Sequence, residues 1–151
     1  MPRPPRKLIY ALEAVVDIAY NARPEPVQAK RITERQGVPQ RYLEQVMQRL
    51  VRAGILKGVR GPRGGYTLAR ERRRISVGEV VRVIEAMDAE GDEEKLDAGS
   101  ELGRRVVRPL WQELYDATLT RLDATTLEDL CVKARDLGVR PESRDAGDFT
   151  I

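Results

Sequence analysis

Arginine and glutamine side chains recur between residues 40 and 63 in a pattern suited to nucleic-acid recognition. Arg can donate two hydrogen bonds to the acceptors of guanine, and Gln can pair with the donor and acceptor of adenine. In residues 40–52 these polar types share one side of a helical repeat, and apolar Leu43, Val46 and Leu50 occupy the other. We expect the polar side to enter the major groove of DNA, with an ordinary solvated helix face as the alternative. The residues predicted to contact DNA from this helix are Gln40, Arg41, Tyr42, Glu44, Gln45 and Arg49.

A basic, glycine-rich segment follows this helix, with the sequence VRGPRGGY over residues 59–66. Its glycines permit tight turns with positive φ and close approach to a backbone, and Pro62 stiffens the tip. Arg60 and Arg63 project from it as cations, and contact with phosphates or insertion into the minor groove are both open to them. A nucleotide-binding loop is disfavoured, because the segment lacks the Lys-Ser/Thr pair of such loops and the helix that follows them.

The hydrophobic pattern around these residues predicts a mainly α-helical fold that contains a winged helix-turn-helix. Gly37 is expected to end one helix in the left-handed conformation, and Pro39 can occupy the first turn of the next. A helix followed by a basic hairpin is the arrangement that a winged helix-turn-helix needs. The predicted helices are 8–21, 27–36 and 39–54, and the predicted strands of the wing are 55–59 and 66–69.

The second half of the chain is predicted to contain a helix, an acidic loop, a long helix and a short helix. Ser76–Glu79 and Thr125–Glu128 fit the capping-box pattern that opens helices. Pro109 is expected in the first turn of the long helix or at a kink within it. The predicted domains are a winged helix-turn-helix over 6–87, an acidic loop over 88–104, a dimerisation helix with a short terminal helix over 105–138, and a disordered tail over 139–151.

The charge is distributed unevenly along the chain. Residues 1–75 hold 17 Lys/Arg against 6 Asp/Glu, a balance of +11, whereas residues 76–151 hold 10 against 18, a balance of −8. A basic face for a polyanion explains this segregation, with a chance distribution of solvated charges as the alternative. No apolar run approaches the roughly 18 residues that span a bilayer, and one cysteine fits a reducing cytosol, so we expect a cytoplasmic protein without membrane contact. Because histidine and any nucleophile–base pair are missing from the sequence, we do not expect an enzyme.

Three stretches resemble the Rrf-type family of bacterial winged-helix regulators, namely Tyr42–Gln45, Arg52–Gly54 and Val59–Tyr66. The resemblance covers roughly residues 6–138 and implies a homodimer that reads a pseudo-palindromic operator. It also implies that Tyr42, Glu44 and Gln45 read bases and that Arg60 enters the minor groove. Arg63 stands where the family more often has glycine, so this wing has an additional cation.

The resemblance further implies that a long helix, about residues 105–123, crosses its copy in the partner subunit. Packing at such an interface is the commoner use of an apolar stripe, although Trp111 could instead line an effector pocket. The predicted interface residues are Val107, Leu110, Trp111, Leu114, Thr118 and Leu122.

The chain departs from the cluster-binding members of the family, which have three cysteines and a histidine near the loop before the long helix. It has no histidine, and its single cysteine, Cys131, lies on the last short helix. An iron–sulfur cluster usually needs four thiolate or imidazole ligands, so we expect a member without a cofactor. Cys131 is interpreted as a small core residue, with a redox-sensing thiol as the alternative. The acidic loop is interpreted as a solvated linker rather than a cation site, because its spacing fits no EF-hand.

Together these features predict a sequence-specific regulator of transcription that binds double-stranded DNA, and repression by occupation of a promoter is the expected mode. The alternative is a winged-helix regulator that acts mainly through a protein partner, such as a metabolic enzyme. The sequence leaves open whether the effector is a small molecule or a protein.

Overall fold

The computed structural model describes residues 4–22, 25–89 and 99–142, and these residues form six α-helices and a two-stranded antiparallel sheet. The predicted mainly helical fold with a two-stranded wing is thereby confirmed. The helices are α1 (Arg6–Asn21), α2 (Ala29–Gln36), α3 (Gln40–Arg52), α4 (Val77–Ala89), α5 (Arg108–Asp123) and α6 (Leu127–Asp136), and the strands are β1 (Leu56–Val59) and β2 (Gly65–Leu68). In the part of the chain that is described, no helix has the length and apolar character needed to cross a membrane.

Helix α1 lies at the centre of the hydrophobic core, and α2, α3, α4 and α6 pack around it. Its apolar residues recur every three or four positions, so that Leu8, Val15 and Ile18 fall on one buried stripe. The apolar side of α3 meets this stripe with Leu43 and Leu50, both of which are inaccessible to solvent. Burial of that side fixes which side of α3 faces outward.

A turn of three residues joins α2 to α3. Gly37 has φ of 65° and ends α2 in the predicted left-handed conformation, where a side chain would be strained. Pro39 lies one position before α3 rather than in its first turn, and its carbonyl accepts the Leu43 N–H at 3.0 Å. The short turn holds the two helices in fixed relation.

The wing is a hairpin in which Leu56 pairs with Leu68 and Val59 pairs with Gly65. The strand predictions therefore differ from the observed strands by one residue at three of the four ends. A third segment joins the sheet, because Val27 and Tyr66 exchange backbone hydrogen bonds of 2.9 and 2.8 Å. This bridge attaches the wing to the segment that leads into α2.

The first predicted capping box is present, whereas the second forms one residue later than predicted. At the start of α4 the Ser76 and Glu79 side chains each accept the other's backbone N–H, at 3.1 and 2.9 Å. At the start of α6 the pair is Thr126 and Asp129, not Thr125 and Glu128. The Thr125 carbonyl instead accepts the Val77 N–H at 2.8 Å, which joins the starts of α4 and α6.

Pro109 lies in the first turn of α5, as predicted, and helical backbone also precedes α5. Residues 101 and 102 are helical, Gly103–Val107 form a turn of π-helix, and α5 follows directly. Proline lacks an N–H and its ring presses on the carbonyl four residues earlier, and the wider π turn accommodates this. The predicted acidic loop is shorter than 88–104, since residues 88–89 belong to α4 and 101–104 are helical; residues 90–98 lie outside the described part.

Residues 139–142, predicted as part of a disordered tail, pack across α1 and α2. The Tyr20 hydroxyl donates to the Val139 carbonyl, and the Glu142 N–H donates to Asn21 Oδ1 at 2.7 Å. The Glu142 carboxylate accepts from Arg31 and Arg35 of α2. We call residues 139–142 the strap; residues 143–151, the remainder of the predicted tail, lie outside the described part.

Candidate nucleic-acid interface

Helix α3 presents the predicted polar side to solvent. Gln40, Arg41, Glu44 and Gln45 are exposed, and Arg49 is half-buried. Gln40 donates from Nε2 to Glu44 Oε1 at 3.3 Å, so the first turn contains one weak internal pair. Among the described residues Arg41 and Gln45 have no hydrogen-bond or ion-pair partner, and their donors and acceptors are available to a ligand.

Tyr42 is placed differently from its neighbours on α3. Its ring is half-buried against the core, and its hydroxyl donates to the Lys7 carbonyl at 2.8 Å. The Lys7 ammonium lies 5.8 Å from the centre of the same ring, within the range of a cation–π contact. Because its proton is already donated, Tyr42 can offer a base only an acceptor or a ring edge.

The Tyr42 contacts bring the basic start of α1 beside the start of α3. Arg6 and Lys7 are exposed there, and cations beside a recognition helix typically contact phosphates. Neither residue was predicted as part of the site. The signal for them was the basic N-terminal stretch, but a sequence alone does not show which elements lie side by side.

The environment of Tyr42 has a measurable consequence at high pH. Burial, with a smaller contribution from the charge of Asp88, raises the pKa of Tyr42 from 10.0 to about 12. Since the folded state favours the neutral phenol, the resulting stabilisation is fully present below pH 10 and is lost as the pH rises toward 12. We expect the difference between the ultraviolet titrations of wild type and Tyr42→Phe to show one phenol that ionises near pH 12. A difference curve centred near pH 10, in protein shown to be folded by circular dichroism, would contradict this assignment.

The wing presents its two predicted cations to solvent. Arg60 and Arg63 are exposed and have no hydrogen-bond or ion-pair partner among the described residues. Gln28 donates from Nε2 to the Pro62 carbonyl at 3.4 Å, which connects the tip to the segment before α2. Of the wing glycines only Gly61 has positive φ, at 111°, so the prediction of positive φ at all three was too broad. Gly64 and Gly65 serve the predicted close approach instead, because a Cβ at either would overlap a backbone carbonyl.

The apolar stripe on the long helix is exposed in the single chain. Leu110 and Trp111 are 57% and 49% exposed, and Val107 and Leu114 are also open to solvent. Thr118 and Leu122 are half-buried instead, and both line a pocket between α5, α4 and α1. The first four predicted interface residues thus form an uncovered apolar face, whereas the last two face their own chain.

The donor set does not fit an iron–sulfur cluster. The chain has no histidine, and Cys131 is 2% exposed in the core beside α1. In residues 4–22, 25–89 and 99–142 no group of three His, Cys, Asp or Glu side chains is placed to hold a metal ion. Most of the acidic loop considered as a cation site lies outside those residues. The burial of Cys131 agrees with the interpretation of a small core residue.

Comparison with known proteins agrees with this arrangement. The Rrf2 family, described as "Iron-dependent Transcriptional regulator", matches residues 5–133. The HTH-type transcriptional regulator IscR of Escherichia coli (strain K12 / DH10B) is 36% identical over 141 residues, which are 91% of this chain and 86% of that protein. The structure of T. potens IscR superimposes with a TM-score of 0.72 and 34% identity, covering 91% of this chain and 92% of that one. The structure of CymR (YrzC), the global cysteine regulator of B. subtilis, superimposes with a TM-score of 0.66 and 32% identity, covering 88% of this chain and 98% of that one.

These similarities extend over most of the chain and include both α3 and the wing. A winged helix with exposed arginine and glutamine side chains is a DNA-binding arrangement. The chain belongs to the Rrf2 family of transcriptional regulators.

Proposed function

We propose that this protein is a homodimeric repressor that reads a pseudo-palindromic operator without an iron–sulfur cluster. The observation that supports it most directly is that Arg41 and Gln45 of α3 and Arg60 and Arg63 of the wing have no hydrogen-bond or ion-pair partner within the described part of the chain. In the proposed complex α3 enters the major groove and the wing follows the backbone or the minor groove. Arg6 and Lys7 add phosphate contacts, so affinity falls steeply as salt rises.

The proposal is tested with fluorescence anisotropy on the DNA upstream of the protein's own gene and on a scrambled sequence. Protein prepared without added iron or sulfide should bind the upstream DNA more tightly than scrambled DNA at each of three salt concentrations. Equal affinity for the two DNAs at every salt concentration would contradict an operator-specific regulator that needs no cluster.

Substitutions in the wing and in α3 should alter different properties of DNA binding. Arg60→Ala should weaken binding to both DNAs, because a backbone or minor-groove cation contributes to affinity in general. Gln45→Ala should mainly reduce the preference for the upstream DNA, by about 1–3 kcal/mol for one lost bidentate base contact.

The control for Arg60→Ala is Arg121→Ala, which removes the same charge from an exposed position on α5. It should leave both affinities unchanged within the error of the titration. If Arg60→Ala and Gln45→Ala each reduced the affinity for both DNAs equally, the result would contradict the proposed division between affinity and specificity.

The homodimer is proposed from the uncovered apolar face of the long helix. Monomeric proteins rarely leave several large apolar side chains exposed together, and Leu110 and Trp111 stand at the middle of this face. Leu110→Glu should give a monomer in size-exclusion chromatography with light scattering, since a buried unpaired carboxylate costs several kcal/mol. Gln112→Glu adds a carboxylate one half-turn away, on the other side of the same helix, and should remain dimeric. A dimeric Leu110→Glu variant would place the interface elsewhere.

A further inference from the structure

A cavity of about 590 Å³ lies between α1 and α6 and is bordered by the strap. This volume falls in the range of roughly 300–1,000 Å³ that is usual for small-molecule sites. The cavity is not part of α3 or the wing. Its apolar walls are Ile9, Leu12 and Val16 of α1, Leu130 and Ala134 of α6, and Leu137.

One end of the cavity is polar and internally paired. The Asp17 carboxylate, which is inaccessible to solvent, accepts from Arg35 at 2.6 and 2.8 Å and from Gln36 at 2.8 Å. Asn21 Nδ2 donates to it at 3.2 Å. These four donors satisfy the Asp17 carboxylate. The third Arg35 nitrogen, Nη1, does not contact Asp17 and can donate to another acceptor.

That acceptor in the structure is the carboxylate of Glu142. Arg31 and Arg35 are one helical turn apart on α2, and each donates to a different Glu142 oxygen. Arg35 and Glu142 both line the cavity. Arg31 is 57% exposed and Glu142 is 22% exposed, so solvent reaches this pair of arginines. The chain's own carboxylate thus shows what kind of group the two arginines bind.

We propose that the cavity binds an amphipathic monocarboxylate, such as a medium-chain or aromatic acid. The apolar body lies between α1 and α6, and the carboxylate takes the place of Glu142 on Arg31 and Arg35. Guanidinium groups bind carboxylates through paired, charge-assisted hydrogen bonds, and Lys133 and Arg140 add positive charge to the lining. Glu13 is the other acidic lining residue besides Asp17 and Glu142, so displacement of Glu142 leaves the mouth cationic. The apolar walls disfavour polyanions such as nucleotides.

Binding at this site bears on α2, which leads into α3 through a turn of three residues. Release of Glu142 would free the strap from α2. Any effect of this release on operator binding rests on the proposed function. Binding of the acid itself does not depend on that function.

The test is isothermal titration calorimetry of the full chain, without DNA, with octanoate and with octan-1-ol of equal chain length. Octanoate should bind and octan-1-ol should bind at least about tenfold more weakly, because it lacks the charge. Glu142→Gln weakens the internal competitor, so the affinity for octanoate should rise about fivefold while that for octan-1-ol stays the same. Arg31→Gln should lower the affinity for octanoate alone.

Ala134→Phe, which fills the cavity, should weaken both ligands. If that variant does not fold, the Glu142→Gln and Arg31→Gln comparison still decides, because neither position is in the hydrophobic core. No heat from octanoate, or an unchanged affinity in both charge variants, would overturn the inference. Because no DNA is present, a failure of this test would not contradict the proposed repressor. Likewise, an absence of operator binding in the anisotropy experiment would not contradict the acid site.

Discussion

Gly65→Ala should destabilise the protein by about 3 kcal/mol, as expected when a side chain is forced against a backbone in a packed region. A Cβ at Gly65 would overlap the Val27 carbonyl, which is the acceptor for the Tyr66 N–H. The bridge between Val27 and Tyr66 must therefore open or both strands must shift. Either change separates the wing from the segment that leads into α2. Urea denaturation followed by circular dichroism measures the loss in the free energy of unfolding.

The matched control is Gly58→Ala, in the other strand of the same hairpin. A Cβ at Gly58 meets no atom within 4 Å, so this variant should change the free energy of unfolding by less than about 0.5 kcal/mol. Superimposable denaturation curves for the two variants would show that the Val27 contact does not hold the wing. We also expect Gly65→Ala to weaken DNA binding more than Gly58→Ala does, because only the first displaces the wing.

Arg35→Met should destabilise the protein by about 3 kcal/mol, the usual cost of leaving one member of a buried ion pair alone. The Asp17 side chain is 0% exposed and would retain only Asn21 and Gln36 as donors. The strength of this native contact is reflected in Arg35, because the hydrogen bonds that its guanidinium donates to Asp17 raise the pKa of Arg35 above its usual value. Thermal or urea denaturation measures the effect.

Two further variants separate the buried contact from the surface contact of the same residue. Arg31→Met removes a mostly exposed partner of Glu142 and should cost less than about 1 kcal/mol. Adding Asp17→Leu to Arg35→Met removes the stranded carboxylate and should recover part of the lost stability. If Arg31→Met and Arg35→Met cost the same, the stability would come from the strap and not from Asp17.

The sequence predicted the elements whose boundaries are set by local chemistry. Gly37 ends α2 as expected, because its positive φ follows from the residue itself. The Ser76–Glu79 box forms because its two partners are three residues apart. The second box fits two registers, since Thr125 and Thr126 are adjacent, and a contact with α4 selects the later one.

The parts that the sequence missed depend on contacts between distant segments. Glu142 is bound by arginines more than 100 positions earlier, and nothing near residue 142 marks it as different from any solvated glutamate. Likewise, nothing near Tyr42 in the sequence shows that its hydroxyl donates to the Lys7 carbonyl of another helix. Periodicity assigns a residue to one side of a helix, whereas the element packed beside that side is set by the whole fold.

The π turn before Pro109 also affects how changes in chain length alter the long helix. Leu102, Val106 and Leu110 follow one another at steps of four residues, and in an unbroken α-helix each such step would drift by about 40°. The wider turn over Gly103–Val107 reduces that drift, so the three side chains stay closer to one line. Deletion of a single residue from the regular part of the long helix, by contrast, would rotate the earlier positions by about 100° relative to the later ones. The number of residues in the long helix, as much as their hydrophobicity, therefore decides how much apolar surface it presents on one side.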